Sequence, residues 1–250
     1  MDLGLKGKIA LVTGATSGVG REIALRLAAE GASLAVNYRG SAAEAELIVK
    51  EIESKGGSAK AYQADVANFA AVKAMTEAVV KDFGGLNILI NNAGLAKRQR
   101  FVETTPEDWH AQIDASLYGA IHSCHAAAPY LEAAKDGRIV SVIGDSSRVG
   151  ESGLAIVAAA RAGVIGLMKS LAREFGRSGT TANTLSLGLV ETDHDKDWVE
   201  DNREKLIRLY PLRRLGLASD VAPMVAMLAS PRTGWITGQV LSVSGGYSMV

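Results

Sequence analysis

Eight residues, Thr13-Gly14-Ala15-Thr16-Ser17-Gly18-Val19-Gly20, restrict this chain more than any other segment. They follow a short apolar run, Ile9 to Thr13, and precede an amphipathic stretch, Arg21 to Glu30, that stops at Gly31. A strand feeding a helix through a glycine loop leaves free backbone N–H groups at the helix start, where the dipole favours an anion. Glycines at 14, 18 and 20 remove side chains where a backbone must turn and approach a pyrophosphate. A tight strand–helix turn gives the same glycines without a ligand, so the context decides.

That context is a regular alternation. Leu34 to Asn37, Ala59 to Gln63, Leu86 to Asn91, Arg138 to Ile143 and Thr180 to Leu185 read as short apolar strands. Helical stretches separate them, among them Ala42 to Lys55, Trp109 to Leu131 and Leu154 to Phe175. Short buried strands alternating with helices imply an α/β fold, a parallel sheet covered on both faces. Right-handed crossovers make it a doubly wound Rossmann-type sheet. The 250 residues read as one domain, 1–250, with a polar, lid-like excursion at about 191–210.

The 27 basic and 27 acidic residues cancel, which gives no global field for nucleic acid or a membrane surface. One cysteine, Cys124, rules out an intrachain disulfide and argues against a cysteine-based metal cluster. His122 and His125 share a helix face but have no carboxylate cluster, so no metal site is expected. The N-terminus lacks a signal peptide's apolar core, and no uninterrupted apolar run reaches membrane-spanning length; a cytoplasmic location is expected.

The loop pattern resembles that of the short-chain dehydrogenase/reductase family, and further pieces follow in that family's order. Asp65-Val66 is similar to its adenine-contacting pair, and Asn91-Asn92-Ala93-Gly94 to the segment after its fourth strand. Thr192 sits where the family contacts the nicotinamide carboxamide. Ile236 to Leu241, followed by Gly245-Gly246, resembles its last strand and exit. The likeness runs from about residue 5 to 250 and is greatest to 3-ketoacyl-carrier-protein reductase-like members. The resemblance implies dinucleotide contacts from Gly14, Ser17, Gly18, Val19, Gly20, Asn37, Arg39, Asp65, Val66, Asn91, Ala93, Gly94 and Thr192. Asn37, not an acid, ends the second strand, and Arg39 can pair with a 2′-phosphate, which favours NADP(H) over NAD(H). Ser17 weighs against this, because many NADP-using relatives carry a second basic residue there.

The same resemblance exposes what is missing. The family uses a tyrosine as proton donor, a lysine four residues later, an orienting serine and an asparagine. Here those positions are Val157, Arg161, Gly144 and Ser116, and Leu187-Gly188 replaces the usual Pro-Gly. Hydride transfer to a carbonyl leaves an alkoxide that must be protonated, and valine has no proton to give. Arginine stabilises negative charge but does not relay a proton. Ser146 or Ser147 can substitute for the serine if the register shifts by one or two residues. Tyr118, Tyr210 and Tyr247 read as core or surface residues.

Asp145 and His194, with Arg161, are the remaining candidates for altered acid–base work. The basic loop Lys97-Arg98-Gln99-Arg100, with Arg148, is a candidate contact for a phosphate-bearing thioester. The favoured reading is an NADP(H)-binding, non-catalytic or regulatory subunit. It would pair with a catalytically active relative in a homo- or hetero-oligomer, a dimer or tetramer. The alternatives are an oxidoreductase on a carbonyl or alcohol with altered proton transfer, and a non-redox enzyme on the same fold.

Overall fold

The computed structural model describes residues 1–192 and 196–250. Its backbone is one seven-stranded parallel sheet, β1 (Ile9–Val12), β2 (Ser33–Tyr38), β3 (Ala59–Gln63), β4 (Ile88–Asn91), β5 (Arg138–Gly144), β6 (Thr181–Leu187) and β7 (Val240–Val243). The spatial order is β3-β2-β1-β4-β5-β6-β7. Strand order therefore reverses between β1 and β4, and the crevice outside their C-terminal ends is where such sheets bind ligands.

The strands bury both faces, and their side chains alternate between two cores with the period of a strand. Ala10, Val12, Ile88 and Ile90 join the first core. It is completed by Ile23 and Leu27 of α1 (Gly18–Ala29), Ile48 and Ile52 of α2 (Ala42–Ser54), and Val221 and Val225 of a C-terminal helix, Ala218–Ala229. Leu11 and Leu89 point to the second. There they meet Val72, Met75 and Val79 of α3 (Phe69–Phe83) and the buried residues of the helices before and after β5. Each fully buried leucine contributes roughly 1.5–3 kcal/mol relative to exposure, so these two layers fix the sheet.

Local signals set the helix ends. Asn68 caps α3 by accepting from the Ala71 N–H at 3.1 Å, and Gly84 ends it at φ +86°. Thr105 and Asp108 form a capping box at the start of α4 (Pro106–Ile113), where proline occupies the first turn.

The long helix expected over 109–131 is interrupted. After α4 comes a π-helical turn, Asp114–Tyr118, and then α5 (Gly119–Ala133). A π turn inserts one extra residue per turn, and such turns gather at functional sites. The last strand begins at Val240 rather than Ile236, because the chain turns at Gly238 with φ +70°. Beyond β5 lie α6 (Ser146–Val149) and α7 (Ala155–Glu174). By length and composition the stretch Ala155–Ser178 would suffice to cross a membrane. Here it packs Val164 and Met168 inward against the sheet. The polar excursion contains α8 (Lys196–Arg208), and α9 (Ala218–Ala229) follows it.

One buried cation ties the sheet's lower edge together. Arg138 opens β5 and is 4% exposed. Its guanidinium donates to the carbonyls of Gly137, Gly179 and Ser230. Arg138→Met keeps the volume but leaves those acceptors without their donor. The expected loss is about 2–3 kcal/mol, seen as a Tm lower by about 5–10 °C in thermal unfolding.

Candidate functional site

The C-terminal edge of the sheet carries two adjoining hollows, one on each side of Arg161. The first is a cleft of about 500 Å³ over β1, β2 and β4. Its floor is the glycine loop, held by side chains from three strands. Thr13 Oγ1 donates to the Ile90 carbonyl and accepts from the N–H groups of Asn92 and Ala93. The Asn92 amide donates to the carbonyls of Thr13 and Gly14, at 3.1 and 3.0 Å. Asn37 Oδ1 accepts from Gly14 N–H at 3.1 Å, while its Nδ2 donates to the Ala64 carbonyl.

The glycines follow from this packing. A Cβ at Gly20 would stand 2.2 Å from the Gly14 carbonyl oxygen and 2.4 Å from Asn92 Nδ2. Gly14 and Gly18 have φ of +60° and +50°, a conformation that disfavours side chains. The start of α1 is thereby left open, since Ser17 makes no side-chain cap. Its N–H groups and dipole face the cleft, as anion binding requires.

Most of the expected cofactor residues line this one cleft: Gly14, Ser17, Gly18, Val19, Gly20, Asn37, Arg39, Asp65, Val66, Ala93, Gly94 and Thr192. A Cβ on Gly18 would lie 3.1 Å from Thr192 Cγ2, which places the threonine over the loop. Asn91 lies beneath it, donating to Ser141 Oγ and Cys124 Sγ. Asn37 is buried and its amide is occupied by backbone groups, so its part is to hold the loop. Asn92, which the sequence reading left out of the cofactor set, is the loop's other clamp. Arg39 is exposed at the rim, and its guanidinium has no partner among the described residues.

The second hollow, about 190 Å³, lies over β5 and β6. Two of the four departures from the family pattern, Gly144 and Arg161, line it. Val157 is fully buried. Gly144 ends β5, and a Cβ there would stand 3.1 Å from Arg161 Nη1. A Cβ on Gly94 would stand 3.3 Å from Ser116 Oγ and 3.5 Å from Arg161 Nη2. Arg161 thus reaches between the ends of β4 and β5. Ser116 is delivered by the π turn and exchanges hydrogen bonds of 3.4 Å with the backbone of Leu95. Desolvation pulls Arg161 below the ordinary guanidinium range, yet an arginine remains cationic at neutral pH.

Of the two serines weighed as substitutes, Ser147 turns back to the Gly144 carbonyl at 2.6 Å. Ser146 lines the hollow, with Oγ 3.5 Å from where a Gly144 Cβ would be. Asp145 is 1% exposed. One carboxylate oxygen accepts from Ser186 and Ser242, and the other is sealed from solvent without a partner. His194 lies outside the described residues. Tyr118 is half exposed beside His122, away from the hollow.

Tyr210 and Tyr247 differ from the sequence expectation, because both line the second hollow. Their rings stack at 5.3 Å, and Tyr210 Oη accepts from the Leu189 N–H at 2.8 Å. They come from segments some 50 and 90 residues beyond Val157, so chain spacing gives no sign of them. Burial raises both phenols above the usual range, and Glu151 and Asp145 push Tyr247 further up. A catalytic tyrosine near neutrality needs the opposite shift.

The basic loop is neutralised locally. Lys97 pairs with Asp108 at 2.7 Å, Arg98 with Glu151 at 2.5 Å, and Arg100 lies 3.6 Å from Glu103. Arg98 also rests on Trp198 of α8, 4.6 Å from the ring centroid. Among the described residues no cluster suits a metal ion; His122 Nδ1 instead bonds the Val66 carbonyl.

Comparison with known proteins agrees with this geometry. Residues 14–248 match the family model described as Enoyl-(Acyl carrier protein) reductase. The chain is 41% identical over 242 residues to the 3-oxoacyl-[acyl-carrier-protein] reductase FabG of Staphylococcus aureus, covering 97% of this chain and 98% of that one. It is 37% identical to the corresponding reductase of Synechocystis, covering 98% of each. A short chain dehydrogenase from Burkholderia cenocepacia, solved in complex with NADP, superposes with a TM-score of 0.91 at 37% identity, covering 97% and 98%. A dehydrogenase/reductase from Sinorhizobium meliloti gives 0.93 at 33%, covering 99% and 98%.

Gly20→Ala tests the loop. The added methyl has no room, so dinucleotide affinity measured by calorimetry should fall at least tenfold, with about 2 kcal/mol or more lost in stability.

Proposed function

The chain belongs to the short-chain dehydrogenase/reductase family, and from that premise we propose that it binds NADP(H) without running the family's usual proton relay. It serves as a non-catalytic or regulatory subunit beside an active relative. The observation that carries this reading is the contrast between the two hollows. The dinucleotide cleft keeps its glycine loop, its clamps and its open helix start. The reaction side has a buried valine where a proton donor would stand.

NADP(H) is favoured by Arg39, a cation at the cleft rim without a partner among the described residues, and by the absence of an acid at Asn37. The residues that would hold the dinucleotide are the loop glycines and the α1 N-terminus for its pyrophosphate, Asp65 and Val66 for adenine, and Thr192 for nicotinamide. When bound, it supplies a hydride donor or acceptor. The chain's own part is to orient it and to exclude water. Exposed Phe101, Val102, Trp109 and Tyr118 on and around α4 and α5 support an oligomeric protein. The excursion at 191–210 reads as a lid within a single domain, its helix held by Arg203 to Glu191 at 2.5 Å.

A second reading, an oxidoreductase with altered proton transfer on a small molecule or thioester, is favoured by one observation. Ser146, Arg161, Tyr210 and Tyr247 share the second hollow.

Titration of the purified chain with NADPH and NADH tests the cofactor claim. NADPH should bind at least tenfold more tightly, and Arg39→Ala should remove that difference while leaving NADH unchanged. Equal binding of both cofactors would remove the 2′-phosphate contact from the reading. Steady consumption of NADPH by the single chain with a ketone or acyl thioester, abolished in Tyr247→Phe or Tyr210→Phe, would replace the subunit reading with the second one.

A further inference from the structure

We propose that the second hollow is a receptor for a small organic monocarboxylate, with Arg161 as its anchor. The site is distinct from the dinucleotide cleft, and the proposal holds whether or not the chain transfers a hydride.

Charge is the first argument. Among the described residues Arg161 has no hydrogen-bond or ion-pair partner. Of the carboxylates that line the hollow, Glu151 pairs with Arg98, and Asp145 accepts from Ser186 and Ser242 through one oxygen while its other is buried without a partner among the described residues. Desolvation alone lowers the Arg161 pKa, with no acid raising it. A largely desolvated guanidinium without a counter-charge is destabilising, and an anion that accepts its fork of N–H groups reverses that cost.

Space is the second. Gly144 and Gly94 carry no Cβ, and either Cβ would crowd the guanidinium. The loss of a side chain at 144 is therefore what gives the arginine its room. Arg161 lines a hollow whose other walls include Leu154, Leu206, Tyr210 and Tyr247. A volume of about 190 Å³ suits a body the size of a benzene ring, which fits a cavity of about 150 Å³. Arg161 shares these walls with Arg98, Asp145 and Glu151, and a largely apolar lining with a few placed polar groups is the usual form of a small-molecule site.

The same surroundings select the charge of the ligand. One guanidinium gives a bidentate match to one carboxylate. Glu151 and Asp145 on the walls disfavour a dianion such as a phosphate monoester.

Benzoate is the probe, with benzamide as its neutral isostere, titrated calorimetrically into the full chain with and without saturating NADPH. Benzoate should bind at least tenfold more tightly than benzamide in both conditions. Arg161→Gln should erase the preference. Gly144→Ala keeps the charge but displaces the guanidinium, and should weaken benzoate at least threefold; thermal melts confirm that each variant is folded. Arg39→Ala should leave benzoate unaffected, which separates this site from the cofactor reading. Three results would overturn the proposal: benzoate binding no tighter than benzamide or not binding, benzoate affinity unchanged in both pocket variants, or benzoate displaced by NADPH into competition for one cleft.

Discussion

The hydrogen-bonded clamp on the glycine loop is the constraint on which the rest of the site depends. Thr13, Asn37 and Asn92 come from the ends of β1, β2 and β4; Asn37 and Asn92 bond the backbone at residues 13 and 14, and Thr13 ties the loop to the backbone of residues 90, 92 and 93. Those strands are held in register by two cores, so the clamp inherits the rigidity of the whole sheet. Buried amide and hydroxyl groups must find partners, and here each finds backbone that would otherwise be unpaired. The loop is thereby shaped without a ligand, and the start of α1 stays free to meet one. That is why Gly20 tolerates no methyl group while Ser17, one turn away, stands exposed.

The second hollow obeys a different rule. Its four departures from the family pattern are neighbours in space, and two of them are sterically linked. A lysine-to-arginine change adds a planar fork, and a glycine at 144 supplies the volume that fork needs. Val157 lies one helical turn before Arg161 on α7, buried and inert. Arg161 gives this end of the sheet a fixed positive charge, and an arginine does not relay a proton. Burial and adjacent carboxylates raise the pKa values of the nearby phenols.

Much of this was legible from the chain alone. Short apolar runs and glycine stops placed the strands within about two residues, apart from β7, because local sterics and burial set them. The π turn at Asp114–Tyr118 was not legible: its residues Asp-Ala-Ser-Leu-Tyr carry no breaker, and the helical pattern runs on through them. Asn92 was missed as a clamp because the resemblance drew attention to Asn91, Ala93 and Gly94. Tyr210 and Tyr247 were read as ordinary core or surface positions, since their approach to β5 depends on how the segments after β6 and β7 fold back.

Sequence by itself determined the class of fold, the cofactor loop and the absence of a tyrosine at 157, because these rest on residue type and short spacing. Only the tertiary structure decided which charges remain unpaired. Lys97, Arg98 and Arg100 looked like a basic patch, and each lies beside an acid. Arg161 read as a cation that stabilises negative charge without relaying a proton, and it alone of these four has no partner among the described residues. Ion pairing is a matter of distances of a few ångströms between groups far apart in the chain, and those distances exist only after the sheet has brought its strand ends together.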